Sequence, residues 1–306
     1  MGIDFENYTL YSPFARTLFN TTATDFTVEY YTNIKTAFPT YCSIGVIVDG
    51  AYTKTLTAAT DNIIQHGSVS GLATGDKQIE LVYGLQSKPT TTVLGTFVRK
   101  VLVSGRVATS VTPTTPTNQM IIYGDSISVG ANSTTPTSEA WAMLVRSSYT
   151  GNLAIEGHGY RTLYEDANTA GLLSAFVSKL SGGFGNVDII WLCIGTNDYG
   201  LQKWSSTDFG TAYSSLLDAL HVAFPTATIY AHTPLTRSPE TELHAGYGDL
   251  PAYRTKISDA QSSRSDWCTL VDGTAISPVL DVDNLHPTTA GHITVANQIK
   301  TVLGLT

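Results

Sequence analysis

Residues 120–130 of the 306-residue chain read MIIYGDSISVG, and this stretch decides how the second half of the sequence folds. The run MIIY is typical of a buried strand, and the sequence turns polar abruptly at GDS. We expect the strand to end there and a helix to begin, with Ser126 at the boundary. A lone serine in this position is most often a helix cap, so a chemical role for Ser126 requires partners elsewhere.

Apolar strand candidates alternate with helical patterns from residue 120 onward. The predicted strands are MIIY (Met120 to Tyr123), NLAI (Asn152 to Ile155), VDIIWLCI (Val187 to Ile194), ATIYAH (Ala227 to His232) and CTLVD (Cys268 to Asp272). Helical spacing relates Phe209, Tyr213, Leu216, Leu217, Leu220 and Phe224, and later Val295, Ile299 and Val302. This alternation predicts a parallel sheet covered by helices on both faces, with ligands at the carboxyl ends of its strands.

The first third of the chain has a different pattern, in which short β-type runs are separated by turn residues. The runs are FTVEYY, YCSIGVIV, AYTKTLT, KQIELVYG and GTFVRKVLVSG, and Asp49-Gly50 joins two of them as a hairpin turn would. We predict a jelly-roll-like β-sandwich over residues 1–108. The Thr/Pro-rich residues 109–119 then form a linker, and residues 120–306 form a second domain.

Composition narrows the possible partners. Charged residues make up 14% of the chain and the net charge is −8, without a cluster of Lys and Arg, which argues against nucleic acid. No apolar run approaches the length of a membrane-spanning helix. The three cysteines, Cys42, Cys193 and Cys268, are too few and too scattered for a disulfide framework and are expected to be small buried side chains. The start lacks the pattern of a signal peptide, but secretion with the leader removed remains an alternative.

Polar clusters follow three of the predicted strands directly. Ser126 follows the first, Gly157-His158-Gly159 the second, and Gly195-Thr196-Asn197-Asp198 the third. In a parallel sheet these strand ends share one edge, so a hydroxyl, a glycine turn and an amide side chain can surround one substrate. Acyl transfer needs such a set, because the nucleophile must be activated and the oxyanion needs positioned N–H donors. Backbone N–H groups of Ser126 and Gly159 and the amide of Asn197 are the candidate donors.

The candidate base lies in the tail, which reads DVDNLHPTTAGH. Pro287 biases His286 toward an extended conformation before the last predicted helix, so the imidazole is expected to project from a loop. Asp283, three residues earlier, can accept from one ring nitrogen and leave the other nitrogen free for Ser126.

GDSI, the glycine turn, GTND and DNLHP resemble, in this order, the four conserved blocks of the SGNH hydrolases, also called GDSL esterases. The resemblance covers residues 120–306 and implies a three-layer α/β/α hydrolase fold. It implies Ser126 as nucleophile, His286 as general base and Asp283 as its orienting group, with Ser126, Gly159 and Asn197 as the oxyanion hole. The second block, EGHGYRT, lacks the asparagine that many members have before the glycine, so Gly157 remains an alternative to Gly159.

A β-domain, a short linker and this hydrolase domain together also resemble the layout of carbohydrate esterase family two. That likeness implies an O-acetylated sugar or another short-chain ester as substrate, either a small molecule or a polysaccharide. A lipase or lysophospholipase, and a glycan-binding protein with a vestigial hydrolase domain, remain alternatives. Tyr160, Tyr199 and Trp204 are candidates for the pocket lining, with structural packing as the alternative, and residues 234–250 are a candidate mobile wall over the site.

Other chemistries fit the sequence less well. His158 and His232 also follow strands, but neither has a carboxylate at a suitable spacing. No paired ligand spacing indicates a metal, and no cofactor is expected. GHGYRT half-matches a dinucleotide fingerprint, but Thr162 occupies the place of the third glycine. No GxSxG motif is present, which disfavours the α/β-hydrolase nucleophile elbow.

We expect ester hydrolysis to slow as the pH falls, because protonation of His286 removes the general base. The measurement is the initial rate of p-nitrophenyl acetate hydrolysis at a series of pH values. A rate that stays constant down to about pH 4 would contradict the assignment of a histidine base.

Overall fold

The structure is a computed structural model of the chain. It describes residues 2–4, 16–32, 43–83, 96–103, 118–157, 159–168, 187–241 and 246–305. The described elements before residue 104 are strands, and those after residue 118 alternate between strands and helices. The change of pattern along the sequence therefore corresponds to a change of architecture.

The described residues of the first part form two four-stranded antiparallel sheets. The first contains, in spatial order, β1 (Gly2–Asp4), β8 (Thr96–Leu102), β3 (Phe26–Thr32) and β6 (Ile64–Val69). The second contains β2 (Arg16–Thr21), β7 (Lys77–Tyr83), β4 (Ser43–Val48) and β5 (Ala51–Thr57). The rings of Phe19 and Phe26, one from each sheet, meet edge to face with centroids 5.6 Å apart. A β-rich N-terminal region is thus confirmed.

The strands that the sequence patterns missed in this part all lie at sheet edges. The predicted hairpin is present, since Val48 pairs with Ala51 and Asp49 and Gly50 have φ angles of 50° and 81°. By contrast β1, β2 and β6 were not predicted, and each lies at an edge of its sheet. Edge strands tolerate polar side chains on both faces, so they lack a clear alternating pattern.

The second part contains a five-stranded parallel sheet in the order β10-β9-β11-β12-β13. The strands are β9 (Gln119–Gly124), β10 (Asn152–Gly157), β11 (Ile189–Cys193), β12 (Thr228–His232) and β13 (Cys268–Val271). Gly124 lies opposite Gly157 in β10 and Cys193 in β11, so three strands end at one level. All five predicted strands are present.

Helices cover both faces of this sheet. They are α1 (Pro136–Glu139), α2 (Trp141–Arg146), α3 (Leu163–Asn168), α4 (Thr196–Gly200), α5 (Ser206–Ala223), α6 (Leu250–Ser262) and α7 (Thr289–Leu303). Ile122 of β9 belongs to the apolar cluster that includes residues of α2 and α7. Its neighbour Ile121 belongs to the cluster formed with α5 and α6. This alternation along one strand produces the three layers that were predicted.

The apolar stripe of the last helix is shorter than its spacing predicted. Val295 and Ile299 are buried, but Val302 is 39% exposed. Gly304 ends α7 in the left-handed conformation with φ 66°. The final turn therefore projects beyond the core that its earlier turns cover.

The two parts pack against each other through α1 and α2. A Cβ added to Gly45 of β4 would lie 3.2 Å from Cβ of Thr137 in α1, so glycine permits the close approach. The side chains of Glu80 in β7 and Arg146 in α2 form an ion pair and are only 10% and 14% exposed. Of the predicted linker, only residues 118 and 119 lie within the described ranges, and Gln119 begins β9. The division into domains at that segment stays a prediction.

Arg146→Ala should lower the free energy of unfolding by about 3 kcal/mol, because it removes the guanidinium that pairs with the buried carboxylate of Glu80. The exposed pair of Lys256 and Asp259, 3.7 Å apart, supplies the control, and Lys256→Ala should change stability by less than about 0.5 kcal/mol. Urea unfolding of both variants measures the difference. An Arg146→Ala protein as stable as Lys256→Ala would show that the ion pair of Glu80 and Arg146 contributes nothing to stability.

Candidate active site

Ser126 lies in a compact series of turns directly after β9. The Asp125 carbonyl accepts from Ser128 N at 3.1 Å and Val129 N at 3.2 Å, and the Ser126 carbonyl accepts from Ala131 N at 2.9 Å. A Cβ at Gly124 would collide with the Ser128 side chain, so only glycine allows this tight course.

The expectation that a helix begins at Ser126 is wrong. Residues 126–132 form turns, and α1 begins only at Pro136. Gly130 and Asn132 have φ angles of 82° and 65°, which a right-handed helix cannot contain. Among the described residues none accepts a hydrogen bond from the Ser126 backbone N–H, and its role as an oxyanion donor stays a prediction.

Ser126, His286 and Asp283 form a continuous chain of hydrogen bonds. Ser126 Oγ lies 2.8 Å from His286 Nε2, and His286 Nδ1 lies 2.7 Å from Asp283 Oδ2. A carboxylate only accepts hydrogen bonds, so Nδ1 of a neutral imidazole carries the proton and Nε2 accepts from the Ser126 hydroxyl. The three residues predicted to act together are therefore neighbours, although 160 positions separate Ser126 from His286. Their catalytic roles stay predictions.

The loop before α7 holds Asp283 in a firmly ionised state. Its Oδ1 accepts from the backbone N–H groups of Leu285 and His286, each at 3.0 Å. Its Oδ2 accepts from Asn132 Nδ2 at 3.1 Å in addition to the imidazole. Burial raises the pKa of the Asp283 carboxyl, but the hydrogen bonds from His286 and Leu285 outweigh burial and lower it to about 2. Sequence patterns did not indicate Asn132, because nothing local distinguishes it from an ordinary turn residue.

Gly159 and Asn197, the other predicted oxyanion donors, are both buried near the same strand ends. Gly159 lies in the turn after β10, whereas Gly157 is the last residue of the strand itself. A Cβ at Gly157 would lie 3.2 Å from the Gly124 carbonyl oxygen, so close packing already explains the glycine at position 157. Asn197 Nδ2 donates to the Arg161 carbonyl at 3.0 Å, which orients the amide. The choice of Gly159 is still a prediction, and His158 lies outside the described residues.

Asp198 caps the start of α3. Its two carboxylate oxygens accept from Leu163 N and Tyr164 N, both at 3.0 Å, at the start of α3. Burial raises the pKa of the Asp198 carboxyl to about 7 against the opposing effect of these hydrogen bonds. The GTND block is thereby attached to the segment that carries Gly159.

The three aromatic candidates differ in their surroundings. Tyr160 is 61% exposed, whereas Tyr199 is 2% exposed and its hydroxyl donates to the Pro239 carbonyl at 3.1 Å. Trp204 is half-buried and meets the ring of Tyr164 edge to face, with centroids 5.2 Å apart. Packing accounts for Tyr199, so Tyr160 is the aromatic candidate that faces solvent beside the glycine turn.

His232 is a buried packing residue. Its Nδ1 lies 3.4 Å from Cys193 Sγ, and its ring meets that of Trp191 with centroids 5.7 Å apart. Burial lowers the pKa of the His232 imidazole to about 4, so the ring is neutral near pH 7. Cys193 and Cys268 carry free thiols; Cys268 is buried as expected, Cys193 is partly buried, and Cys42 lies outside the described residues.

Hydrogen bonds hold the residues that directly follow β12 in place. Arg254 of α6 donates from Nε to the Pro234 carbonyl at 2.8 Å and from Nη2 to Glu240 Oε1 at 2.7 Å. Ser238 N donates to the Asn284 carbonyl at 2.9 Å, which links this segment to the loop of His286. These contacts favour a fixed conformation for residues 234–240, the first part of the segment that was a candidate mobile wall. Residues 242–245 lie outside the described part.

Neither a metal site nor a membrane helix is found in the described residues. They contain no group of three or more His, Cys, Asp or Glu side chains that could hold an ion. Within the same ranges, every helix is too short or too polar to span a bilayer.

Asp125→Asn should show how much the buried charge beside Ser126 destabilises the folded protein. Asp125 is 3% exposed, and burial, opposed by the hydrogen bond from Ile127 N, raises the pKa of its carboxyl to about 6. Because the folded pKa exceeds the unfolded one, the contribution of Asp125 to stability is greatest below about pH 4 and is lost as the pH rises through about 6. Between pH 4 and 8 the free energy of unfolding of the variant should therefore rise, relative to that of the native chain, by up to about 3 kcal/mol.

Urea unfolding at several pH values measures this difference. Asp218→Asn is the control, because Arg264 lowers the pKa of the exposed Asp218 carboxyl. The difference in free energy of unfolding between this variant and the native chain should therefore stay nearly constant from pH 4 to 8. A difference for Asp125→Asn that does not vary with pH would contradict the raised pKa.

Comparisons with solved structures support the fold over nearly the whole chain. The salicylyl-acyltransferase SsfX3 from a tetracycline biosynthetic pathway matches with a TM-score of 0.75 and 20% identity, over 94% of this chain and 82% of that one. A family two carbohydrate esterase from Clostridium thermocellum, solved with cellohexaose, matches with a TM-score of 0.69 and 16% identity, over 96% and 94%. The acetyl xylan esterase Est2A from Butyrivibrio proteoclasticus matches with a TM-score of 0.67 and 12% identity, over 96% and 92%.

The sequence itself matches one family model. No curated protein matches the chain significantly. The model of the GDSL-like lipase/acylhydrolase family matches residues 122–292, which is more than half of the chain and includes Ser126, Asn197 and His286. The protein therefore belongs to the GDSL-like lipase/acylhydrolase family.

Proposed function

We propose that the chain is a serine esterase that removes short acyl groups, with O-acetyl groups on carbohydrate as its substrate class. The observation that carries the proposal is the hydrogen-bonded chain from Ser126 Oγ through His286 to Asp283. Membership of the acylhydrolase family supports ester hydrolysis. The fold likeness to carbohydrate esterases supports the choice of an acetylated sugar.

The first half of the proposed reaction forms an acyl-enzyme. Ser126 Oγ attacks the ester carbonyl carbon while His286 Nε2 takes the hydroxyl proton. Asp283 keeps the imidazole oriented and stabilises its cation, which suits a carboxyl whose pKa is lowered to about 2. The tetrahedral oxyanion receives hydrogen bonds from the N–H groups of Ser126 and Gly159 and from the Asn197 amide. The bond to the alcohol then breaks, and the alcohol takes the proton from His286.

The second half regenerates the enzyme. A water molecule gives its proton to His286 Nε2 as its oxygen attacks the acyl carbon, and the same donors stabilise the second oxyanion. The bond between the acyl carbon and Ser126 Oγ breaks, the serine recovers its proton from the imidazolium, and the carboxylic acid leaves. An alcohol in place of this water would make the same site an acyltransferase.

Ser126→Ala should reduce ester turnover at least about 10⁴-fold without loss of folding, because the acyl-enzyme can no longer form. Substrates are p-nitrophenyl acetate, butyrate and octanoate, together with acetylated xylan, from which acetate release is measured. Ser147→Ala, at an exposed serine after α2, is the matched control and should retain full activity. Residual turnover by Ser126→Ala close to that of the control would refute the nucleophile.

The substrate series separates the competing functions. Serine-dependent turnover that is fastest for acetyl groups supports the proposal, and an octanoate preference points to a lipase. Binding of polysaccharide by the full chain without cleavage of any ester points to a glycan-binding protein. Higher turnover of the acetyl ester when an alcohol is added, with formation of its acetyl ester, points to acyl transfer.

A further inference from the structure

Arg161 is buried beneath the turn that carries Gly159. Its side chain is 7% exposed, and its Nε lies 2.7 Å from Asp166 Oδ2, whose side chain is 6% exposed. The guanidinium carbon lies 4.0 Å from the centre of the Tyr123 ring, and the Tyr123 hydroxyl donates to the same carboxylate. Each member of this cluster thus contacts the other two, and the charges of Arg161 and Asp166 balance each other.

The arginine side chain also closes the glycine turn. Arg161 Nη1 donates to the carbonyl of Glu156 at 2.8 Å, so a hydrogen bond joins the two ends of the turn that contains Gly159. Within the turn Tyr160 has a φ of 62°, a left-handed conformation that is uncommon for a residue with a side chain. A conformation of this kind persists when surrounding contacts hold it, and the Arg161 hydrogen bond is such a contact.

The main chain of Arg161 contacts the second predicted donor. Its carbonyl accepts the hydrogen bond from Asn197 Nδ2 at 3.0 Å. Tyr123, against which the guanidinium stacks, comes shortly before Ser126 in the chain and belongs to β9. One residue therefore has contacts to all three segments that carry the predicted donors.

We propose that Arg161, held by Asp166 and Tyr123, is the positioning residue of the oxyanion hole. It holds the Gly159 N–H and the Asn197 amide at fixed positions relative to each other and to Ser126. The inference rests on the proposed function, and no contact of Arg161 with the substrate is involved. Oxyanion donors act only when they are already in place as the charge forms, so a small displacement slows the chemical step.

The geometry requires arginine and not any cation. The Nε atom is used for Asp166, Nη1 for the Glu156 carbonyl, and the flat face for the Tyr123 ring. A lysine keeps the charge beside Asp166, but its ammonium cannot reproduce these three contacts at once. Arg161→Lys therefore changes the geometry of the turn while it retains the ion pair.

The test compares Arg161→Lys with Arg264→Lys in the full chain. Arg264 donates to both carboxylate oxygens of Asp218 at 2.7 and 2.6 Å on the surface of the same half of the protein, so the control repeats the substitution away from the site. The number of active sites is measured with diethyl p-nitrophenyl phosphate, which releases one p-nitrophenol for each site that reacts. Turnover per counted site is then measured with p-nitrophenyl acetate.

For Arg161→Lys we expect kcat per site to fall about 10- to 100-fold, with KM within about threefold of the native value. The rate of reaction with the phosphate ester should fall similarly, because it also forms an oxyanion, while the number of reactive sites stays the same. Arg264→Lys should remain within about twofold of the native chain. Tyr123→Phe keeps the ring and removes only the hydroxyl bound to Asp166, so kcat should fall about 3- to 10-fold.

Tyr123→Phe decides the question if Arg161→Lys does not fold. Native kcat per site in each folded variant would overturn the positioning role, and so would a loss of sites with unchanged kcat at those that remain. A native chain that cleaves no ester and does not react with the phosphate ester would overturn the proposed function, and this inference with it. The inference can therefore fail by itself only if the native enzyme is active.

Discussion

The parallel register of three strands is the constraint on which the site depends. Gly124 lies opposite both Gly157 and Cys193, so β9, β10 and β11 reach the same edge of the sheet together. Each strand is followed within three residues by a turn or short helix that carries a candidate donor or nucleophile. A shift of one residue in either pairing would turn alternate side chains to the other face and move the site groups apart. Close packing between these strand ends maintains the register, since a Cβ at Gly124 or Gly157 would meet neighbouring atoms.

The site combines carboxyl groups in opposite electrostatic environments. Asp283 is partly exposed; burial raises the pKa of its carboxyl, but hydrogen bonds from the His286 ring and from the backbone N–H groups of His286 and Leu285 outweigh burial and lower it to about 2. Burial raises the pKa values of Asp125 and Asp198 to about 6 and about 7. Asp125 accepts from the Ile127 N–H beside Ser126, and Asp198, which follows Asn197, accepts from the N–H groups of Leu163 and Tyr164. Their ionised forms are destabilising, so the rigidity of these loops has a cost in stability.

The β-rich part of the chain is attached to the elements that follow the turn of Ser126. Its described contacts with the second part include Gly45 against Thr137 of α1 and the ion pair of Glu80 with Arg146 of α2. Apolar residues of both parts form one continuous cluster. The β-sheets thus support the α1 and α2 side of the hydrolase fold. This provides a physical reason for the two-part layout beyond any contact with substrate.

Sequence alone determined the order of the site residues, the parallel sheet and the change to β-structure in the first third of the chain. These features depend on local patterns of apolar residues and on short motifs, which are readable one segment at a time. The edge strands β1, β2 and β6, the turns that replace the expected helix at Ser126 and the burial of Tyr199 were not readable, because they depend on what packs against them. Only the tertiary structure brought Asn132 to Asp283, 151 positions apart, and Arg161 to Tyr123 and Asn197. Contacts between distant segments arise from the packing of the whole sheet and its helices, and no local pattern encodes them.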